Sequence, residues 1–199
     1  MVNDWQEKNP DFRQIILNNK EKQIILGTLL GNSSIIKPKK SKNPHFQMRE
    51  SINKVGKWIL CKAHELKRMS RPRSFVEDDD SFRWNSVSSS CWQSFYELCY
   101  QDGKKNVSME WLDQLQDHGI ASWFMDKGEL QRKMAFLRIS RLNKESIDNI
   151  DDYFKIIGIP GQICNHGGSK IIAFKDVNLL KFMKLISHRL PLFYRLQLK

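Results

Sequence analysis

Apolar positions along this chain alternate between helical and strand periods, and together they predict a repeating series of helices and hairpins. Ile24-Ile25-Leu26-Gly27-Thr28-Leu29-Leu30 reads as an apolar helix that begins at Lys22 and is ended by Gly31, Ser33 and Ser34. Ile35-Ile36 follows as a short strand and His45 to Arg49 as its return. Between them lies the turn-rich, basic stretch Lys37-Pro38-Lys39-Lys40-Ser41-Lys42-Asn43-Pro44. Ile52, Val55, Ile59, Ala63 and Leu66 then recur at helical spacing up to Met69, where Arg71-Pro72-Arg73 breaks the pattern. Phe75-Val76 and Phe82-Arg83-Trp84 are strand candidates around the turn Glu77-Asp78-Asp79-Asp80, and Cys91, Phe95, Leu98 and Cys99 mark another helix.

The order then begins again. A helix leads to Gly128, Phe136 to Ser140 is a strand, and a helix runs from Lys144 to Ile157, broken by Gly158 and Pro160. Ile163-Cys164 and Lys170 to Phe174 form a hairpin around Gly167-Gly168, and a last helix covers Val177 to Ile186. A shift of 90 positions (136 − 46) lays Phe46, Asn53 and Lys54 on Phe136, Asn143 and Lys144; a shift of 87 (182 − 95) lays Arg83, Phe95 and Leu98 on Lys170, Phe182 and Leu185. The expected division is an arm over 1–20, a first half over 21–101, a linker over 102–110 centred on Asp102-Gly103-Lys104-Lys105-Asn106, and a second half over 111–199. The expected fold class is α+β. Two αββαββα halves, each with a four-stranded antiparallel sheet, would be related by a pseudo-two-fold axis within a monomer.

Composition adds a partner to this picture. The 199 residues suffice for a proper core. Lys and Arg number 33 against 22 Asp and Glu, a net charge of +11, and a cation of this size attracts polyanions, nucleic acid first among them. No apolar run approaches the ~20 residues that span a bilayer, and no basic amphipathic helix is evident, so a membrane partner is not expected. Asp4, Glu7 and Asp11 suit neither a secretory signal nor a transit peptide. Cys61, Cys91, Cys99 and Cys164 show no C-x-x-C pairing and read as free, mostly buried thiols in a reducing interior. The abundance of Lys, Asn and Ile hints at an AT-rich genome, such as that of an organelle or a phage, with the cytoplasm as the remaining compartment.

Two segments carry a resemblance. Ile24 to Ser33 and Gly119-Ile120-Ala121-Ser122-Trp123-Phe124-Met125-Asp126-Lys127-Gly128 each end an apolar helix in a turn of small residues. Together they resemble the two signature motifs of the LAGLIDADG homing endonucleases. Phe82-Arg83-Trp84-Asn85-Ser86, Phe95 to Tyr100, Asp102-Gly103-Lys104-Lys105, Leu137-Arg138-Ile139-Ser140 and Phe193-Tyr194-Arg195-Leu196 extend the likeness over roughly 20–198. Helices that meet closely need small residues on the shared face, and Gly27 and Gly31, four apart, supply one such face; Ala121 and Ser122 are the candidates on the other. The resemblance implies a protein that lays two sheets on a long DNA site and cuts both strands near the helix ends.

The same resemblance implies metal-binding aspartates at the positions held here by Asn32 and Lys127. Hydrolysis of a phosphodiester by divalent cations calls for carboxylate oxygens, and Mg²⁺ is expected as a cofactor only if cleavage persists. Replacing two carboxylates by an amide and an ammonium moves the local charge from −2 to +1, and each unit at ~4 Å is worth about 4 kcal/mol at an effective dielectric of 20. Asp126, the nearby carboxylate, points ~100° away on the helix and is a poor substitute. Lys127 can instead neutralise a phosphate.

The expected function is therefore nucleic-acid binding on a homing-endonuclease scaffold without cleavage. Gln47, Arg49, Arg83, Asn85, Arg138 and Lys170 are expected to face the ligand, and Lys37, Lys39, Lys40 and Lys42 to reach phosphates from a hairpin tip. Duplex DNA is one ligand. Structured RNA is the other, in a maturase-like factor or a ribonucleoprotein such as a ribosome, and would lean on exposed aromatics such as Trp84 and Trp92. A still-active endonuclease using Asp126 is the third reading. Cys164-Asn165-His166 lacks a second half to close a metal site, and Glu77 to Asp80 lacks a full Ca²⁺ loop.

Overall fold

The computed structural model describes residues 15–38, 43–51, 57–78, 80–131 and 133–191. The chain forms two compact units. One comprises residues up to 22 with 32–97, the other 23–31 with residues from 98 onward.

Helix α1 (Asn19–Leu30) starts in a reciprocal cap. Asn18 Oδ1 accepts from the Glu21 N–H at 2.9 Å, and Glu21 Oε2 accepts from the Asn18 N–H at 2.9 Å. The first unit then runs β1 (Ser33–Ile36), β2 (His45–Ser51), α2 (Lys57–Glu65), β3 (Ser70–Asp78), β4 (Ser81–Ser86) and α3 (Cys91–Cys99). Its sheet is antiparallel, in the order β1-β2-β4-β3. Phe46, Met48 and Trp84 are buried on one face, and the Phe46 ring lies 5.5 Å from that of Trp92 on α3. Trp84 and Trp92 are thus core residues, each 0% exposed, and not the surface stacking platforms expected of them. Large flat rings gain most by burial, and this core consumes both.

The stretch read as a linker is a small ribbon, β5 (Tyr100–Gln101) and β6 (Lys104–Lys105). Asp102 (φ 50°) and Gly103 (φ 74°) turn it, both in the left-handed region that a tight hairpin requires. The second unit continues with α4 (Met109–Asp113), α5 (Asp117–Lys127), β7 (Gly128–Gln131), β8 (Met134–Arg138), α6 (Lys144–Ile156), β9 (Gln162–His166), β10 (Ser169–Lys175) and α7 (Asp176–Ile186). Its sheet order, β7-β8-β10-β9, repeats the first. Ala135, Leu137, Ile172 and Phe174 line its helix-facing side, where Phe174 stacks on Phe182 at 4.3 Å and meets Phe154 at 4.9 Å. The order αββαββα occurs twice, with α1 and α5 opening the two series.

The repeat is real but its phase differs from the sequence estimate. Met48 pairs with Trp84 and Leu137 with Ile172, so face-preserving shifts are 89 (137 − 48) and 88 (172 − 84). Shifts of 90 and 87 keep the strands paired but exchange the faces, because side chains alternate with period two. Phe46 points at its helices, whereas Phe136 lies on the side away from Phe154 and Phe182.

Two elements depart from the predicted order. Arg71-Pro72-Arg73, read as a helix breaker, lies inside β3, and β7 follows directly on α5 where no strand was expected. All four cysteines are free; Cys99 is buried and the other three are half-buried, against an expectation of mostly buried thiols. Ile52, Asn53, Lys54, Val55 and residues 193–196 lie outside the described residues. No helix among the described residues is long and apolar enough to cross a membrane.

Candidate nucleic-acid interface

The face of the first sheet turned away from Trp92 is polar. Gln47 and Arg49 alternate with buried Met48, and they pair across the ladder with Asn85 and Arg83 respectively, so all four share this face. Gln47 Nε2 donates to Asn85 Oδ1 at 2.7 Å. Arg49 Nε donates to Ser81 Oγ at 3.0 Å, and Arg83 donates to Asp78 Oδ1 at 2.8 Å. Arg49 and Arg83 stand directly opposite each other, with the Asp78 carboxylate offsetting the charge of Arg83. Arg83 Nε is buried without a hydrogen-bond partner among the described residues. Lys37, just past β1, lies 5.4 Å over the Tyr96 ring and is exposed. Lys39, Lys40 and Lys42 lie outside the described residues.

Asn32 sits between α1 and β1, and its backbone carbonyl accepts from the Arg49 N–H at 3.0 Å. Within the second unit, the C-terminal two turns of α1 pack on α5. A β-carbon on Gly27 would collide with the backbone of Gly119, and one on Gly31 with the Asp126 side chain. Gly119 therefore supplies the small residue expected of Ala121 and Ser122. Gln23 fixes the approach: its Nε2 donates to Gln114 O at 2.8 Å and its Oε1 accepts from the Gln116 N–H at 2.7 Å.

Lys105, which the sequence placed in a linker, reaches this helix pair. Its Nζ donates to Leu29 O, one of the last carbonyls of α1, at 2.5 Å. Burial lowers its pKa to about 8; the charge of Lys127 lowers it further, while Cys99 and Asp126 oppose. Asp126 and Lys127 thus share their field with Lys105 at the end of α5.

On the outer face of the second sheet, Arg138 is already engaged. It donates to Glu129 Oε2 at 2.6 Å and lies 5.3 Å over the Phe136 ring. Gln131 donates to Glu129 at 2.8 Å, and the His166 ring stands 5.2 Å from Phe136. The Gln131 hydrogen bond, helped by Arg138 against burial, holds the Glu129 carboxyl below its ordinary pKa. Beneath these groups Phe136, Ile171 and Ala173 form an apolar cluster, with Met134 and Cys164 packed on it. Lys170 does not join Arg138: it alternates with Ile171 and falls on the side of Ile172 and Phe174, at an exposed strand end. The one-residue slip in the repeat hid this difference between the two sheets.

Comparison with known proteins decides the family. The model of the LAGLIDADG DNA endonuclease family matches residues 22–182. The chain belongs to this family. No curated protein matches it. The homing endonuclease I-WcaI, solved bound to its DNA recognition sequence, superposes with a TM-score of 0.82 at 15% identity, over 100% of this chain and 92% of that one. I-DmoI in complex with DNA and Mn gives 0.55 at 13% identity, over 84% of this chain and 96% of that one. The N-terminal LAGLIDADG domain of DUF199/WhiA gives 0.50 at 11%, over 91% and 90%. At such identities the likeness is one of fold.

The LAGLIDADG architecture is thus present, but its helix ends do not suit a divalent cation. Among the described residues no group of three or more His, Cys, Asp or Glu comes together. At the end of α5 one carboxylate, Asp126, shares its surroundings with two ammonium groups. Past the end of α1, Asn32 carries an amide. Hard cations take anionic oxygen ligands, so neither an amide nor a carboxylate set beside two ammonium groups is by itself a fit for Mg²⁺.

Proposed function

We propose that this protein binds nucleic acid on a LAGLIDADG scaffold and does not cleave it. The observation that carries the reading is the outer face of the first sheet, where Arg49 and Arg83 oppose each other beside Gln47 and Asn85. Arg83 is ion-paired with Asp78, and the exposed Arg49 guanidinium beside it, held through Nε by Ser81, is the group placed to meet phosphate or base acceptors. The net charge of +11 adds the long-range attraction, and I-WcaI and I-DmoI, which share the fold, are DNA complexes. Loss of cutting follows from Asn32 and Lys127 at the positions where the family's motifs carry aspartate.

Duplex DNA is the favoured ligand. Structured RNA loses support because Trp84 and Trp92 are buried. The test is a salt titration with mixed-sequence duplex and with structured RNA as competitors. A protein that neutralises five or so phosphates should show log K falling with log salt at a slope of about −4 to −5 on duplex DNA. A flat profile on both probes removes the reading, and preference for RNA transfers it to the other ligand. Incubation of the unaltered protein with a duplex library and Mg²⁺ or Mn²⁺ should leave both strands whole; scission would restore the enzyme reading.

A further inference from the structure

Strand β3 leaves its ladder where the sequence is most basic. Ser70 pairs with Ser86 and Phe75 with Trp84, so the residues 71–74 stand opposite Asn85 alone. The Ser74 hydroxyl is buried and accepts from the Arg71 N–H at 2.6 Å, which closes the extra residues into a defined loop. Pro72 restricts the backbone between the two arginines. Arg73 holds φ at 62°, a left-handed conformation that glycine adopts without strain and a residue with a β-carbon does not. Bulges re-aim side chains at sheet edges, and β3 is the edge of the order β1-β2-β4-β3.

The charge of this bulge is unbalanced. From Lys67 to Phe75 the chain has four cations and no acid. Arg68 is tied to Glu21 at 2.6 Å. Among the described residues, neither Arg71 nor Arg73 has a carboxylate partner, and Arg73 is exposed. The Arg71 charge is felt at His45, where burial first and then that charge hold the pKa below its ordinary value, and His45 alternates with Phe46 onto the face of Gln47. The bulge stands opposite Asn85, which in turn pairs across the ladder with Gln47. A strained arginine with no carboxylate partner among the described residues is a poor stabiliser; as a phosphate ligand it is well placed.

We propose that the Arg71–Ser74 bulge is a preformed phosphate clamp. In it Arg71 and Arg73 hold the sugar–phosphate backbone of a nucleic acid lying on the outer face of the first sheet. This rests on the nucleic-acid reading above and extends the interface beyond the residues assigned to it there.

The experiment measures log K against log salt for the full chain on mixed-sequence duplex DNA and on a structured RNA. The unaltered protein is compared with Arg73→Gly, with Arg71→Gln plus Arg73→Gly, and with Arg71→Lys plus Arg73→Lys. Each phosphate that is no longer neutralised should flatten the slope by about 0.9 on duplex DNA. Arg73→Gly should leave about one phosphate free while its melting temperature holds or rises, because the left-handed residue is relieved. The Gln/Gly variant should leave about two phosphates free, equally on unrelated sequences. The double lysine variant should keep most of the slope. An unchanged slope in folded Arg73→Gly and in the Gln/Gly variant overturns the clamp while leaving nucleic-acid binding intact. Absence of salt-dependent binding by the unaltered protein overturns both.

Discussion

A buried ammonium is costly unless its charge is met, and Lys105 meets that cost only in part. Its Nζ caps the Leu29 carbonyl, yet burial still lowers its pKa from 10.5 to about 8. Between these values the unfolded chain holds a proton that the folded chain has released, so stability rises with pH in that window. The slope is at most about 1.4 kcal/mol per pH unit. Cys99 acts in the opposite sense: burial raises its thiol well above the ordinary 9, so stability falls once the unfolded thiol ionises. Burial raises the Cys61 and Cys91 thiols too, so the Lys105 part is read as the difference in stability between the unaltered protein and Lys105→Met. Urea unfolding should show that difference growing in favour of the unaltered protein by about 1 kcal/mol from pH 8 to 9. A difference that does not change with pH would assign the titration to another group.

At the scale of elements, the packing of α1 on α5 depends on glycine at two places. A β-carbon at Gly27 would strike the Gly119 backbone, and one at Gly31 would strike Asp126 down to its own Cβ, which no rotation of that side chain moves. Gly27→Ala and Gly31→Ala should therefore each destabilise by about 2–3 kcal/mol, as read from denaturant midpoints. A negligible effect at either site would mean that the helices shift as bodies.

The close approach itself was legible, because glycines four apart on an apolar helix have few other uses. Its partner was not: Gly119 precedes the apolar part of its motif and carries no pattern. Strand register was legible only modulo one residue. Phe46 and Phe136 are the same residue in matching strands, but a slip of one moves every side chain to the other face, and no propensity reports the slip. Strand β7 escaped because Gly128, Glu129, Leu130 and Gln131 are all half-buried and show no alternation. The bulge in β3 escaped because a proline between two arginines reads as an interruption. Gln47, Arg49, Arg83 and Asn85 emerged together because alternation within one hairpin needs no knowledge of the other unit. Arg138 and Lys170 fell on opposite faces because Arg138 pairs with Ile171, which turns Lys170 to the other side, and alternation within each strand does not report that register.

For the molecule as a whole, charge and fold argue in the same direction while the motif ends argue against the fold's usual chemistry. A net charge of +11 on a LAGLIDADG scaffold favours polyanion binding with or without cleavage. What separates the two outcomes is the sign of the charge at the ends of α1 and α5. Asn32→Asp with Lys127→Asp would move it from +1 to −2 in total. At ~4 Å and an effective dielectric of 20, each unit changes the energy of a monovalent charge by about 4 kcal/mol, and a divalent ion feels twice that. The double variant should therefore bind Mn²⁺, read by calorimetry, and should nick a duplex library in Mg²⁺ where the unaltered protein leaves it intact. Either single variant should gain less, since one carboxylate faces an uncompensated neighbour. A double variant that binds Mn²⁺ without nicking would show that more than the two carboxylates has been lost. One that binds no Mn²⁺ would show that two restored carboxylates do not suffice for a metal site, and the electrostatic account of the proposed inactivity would fall.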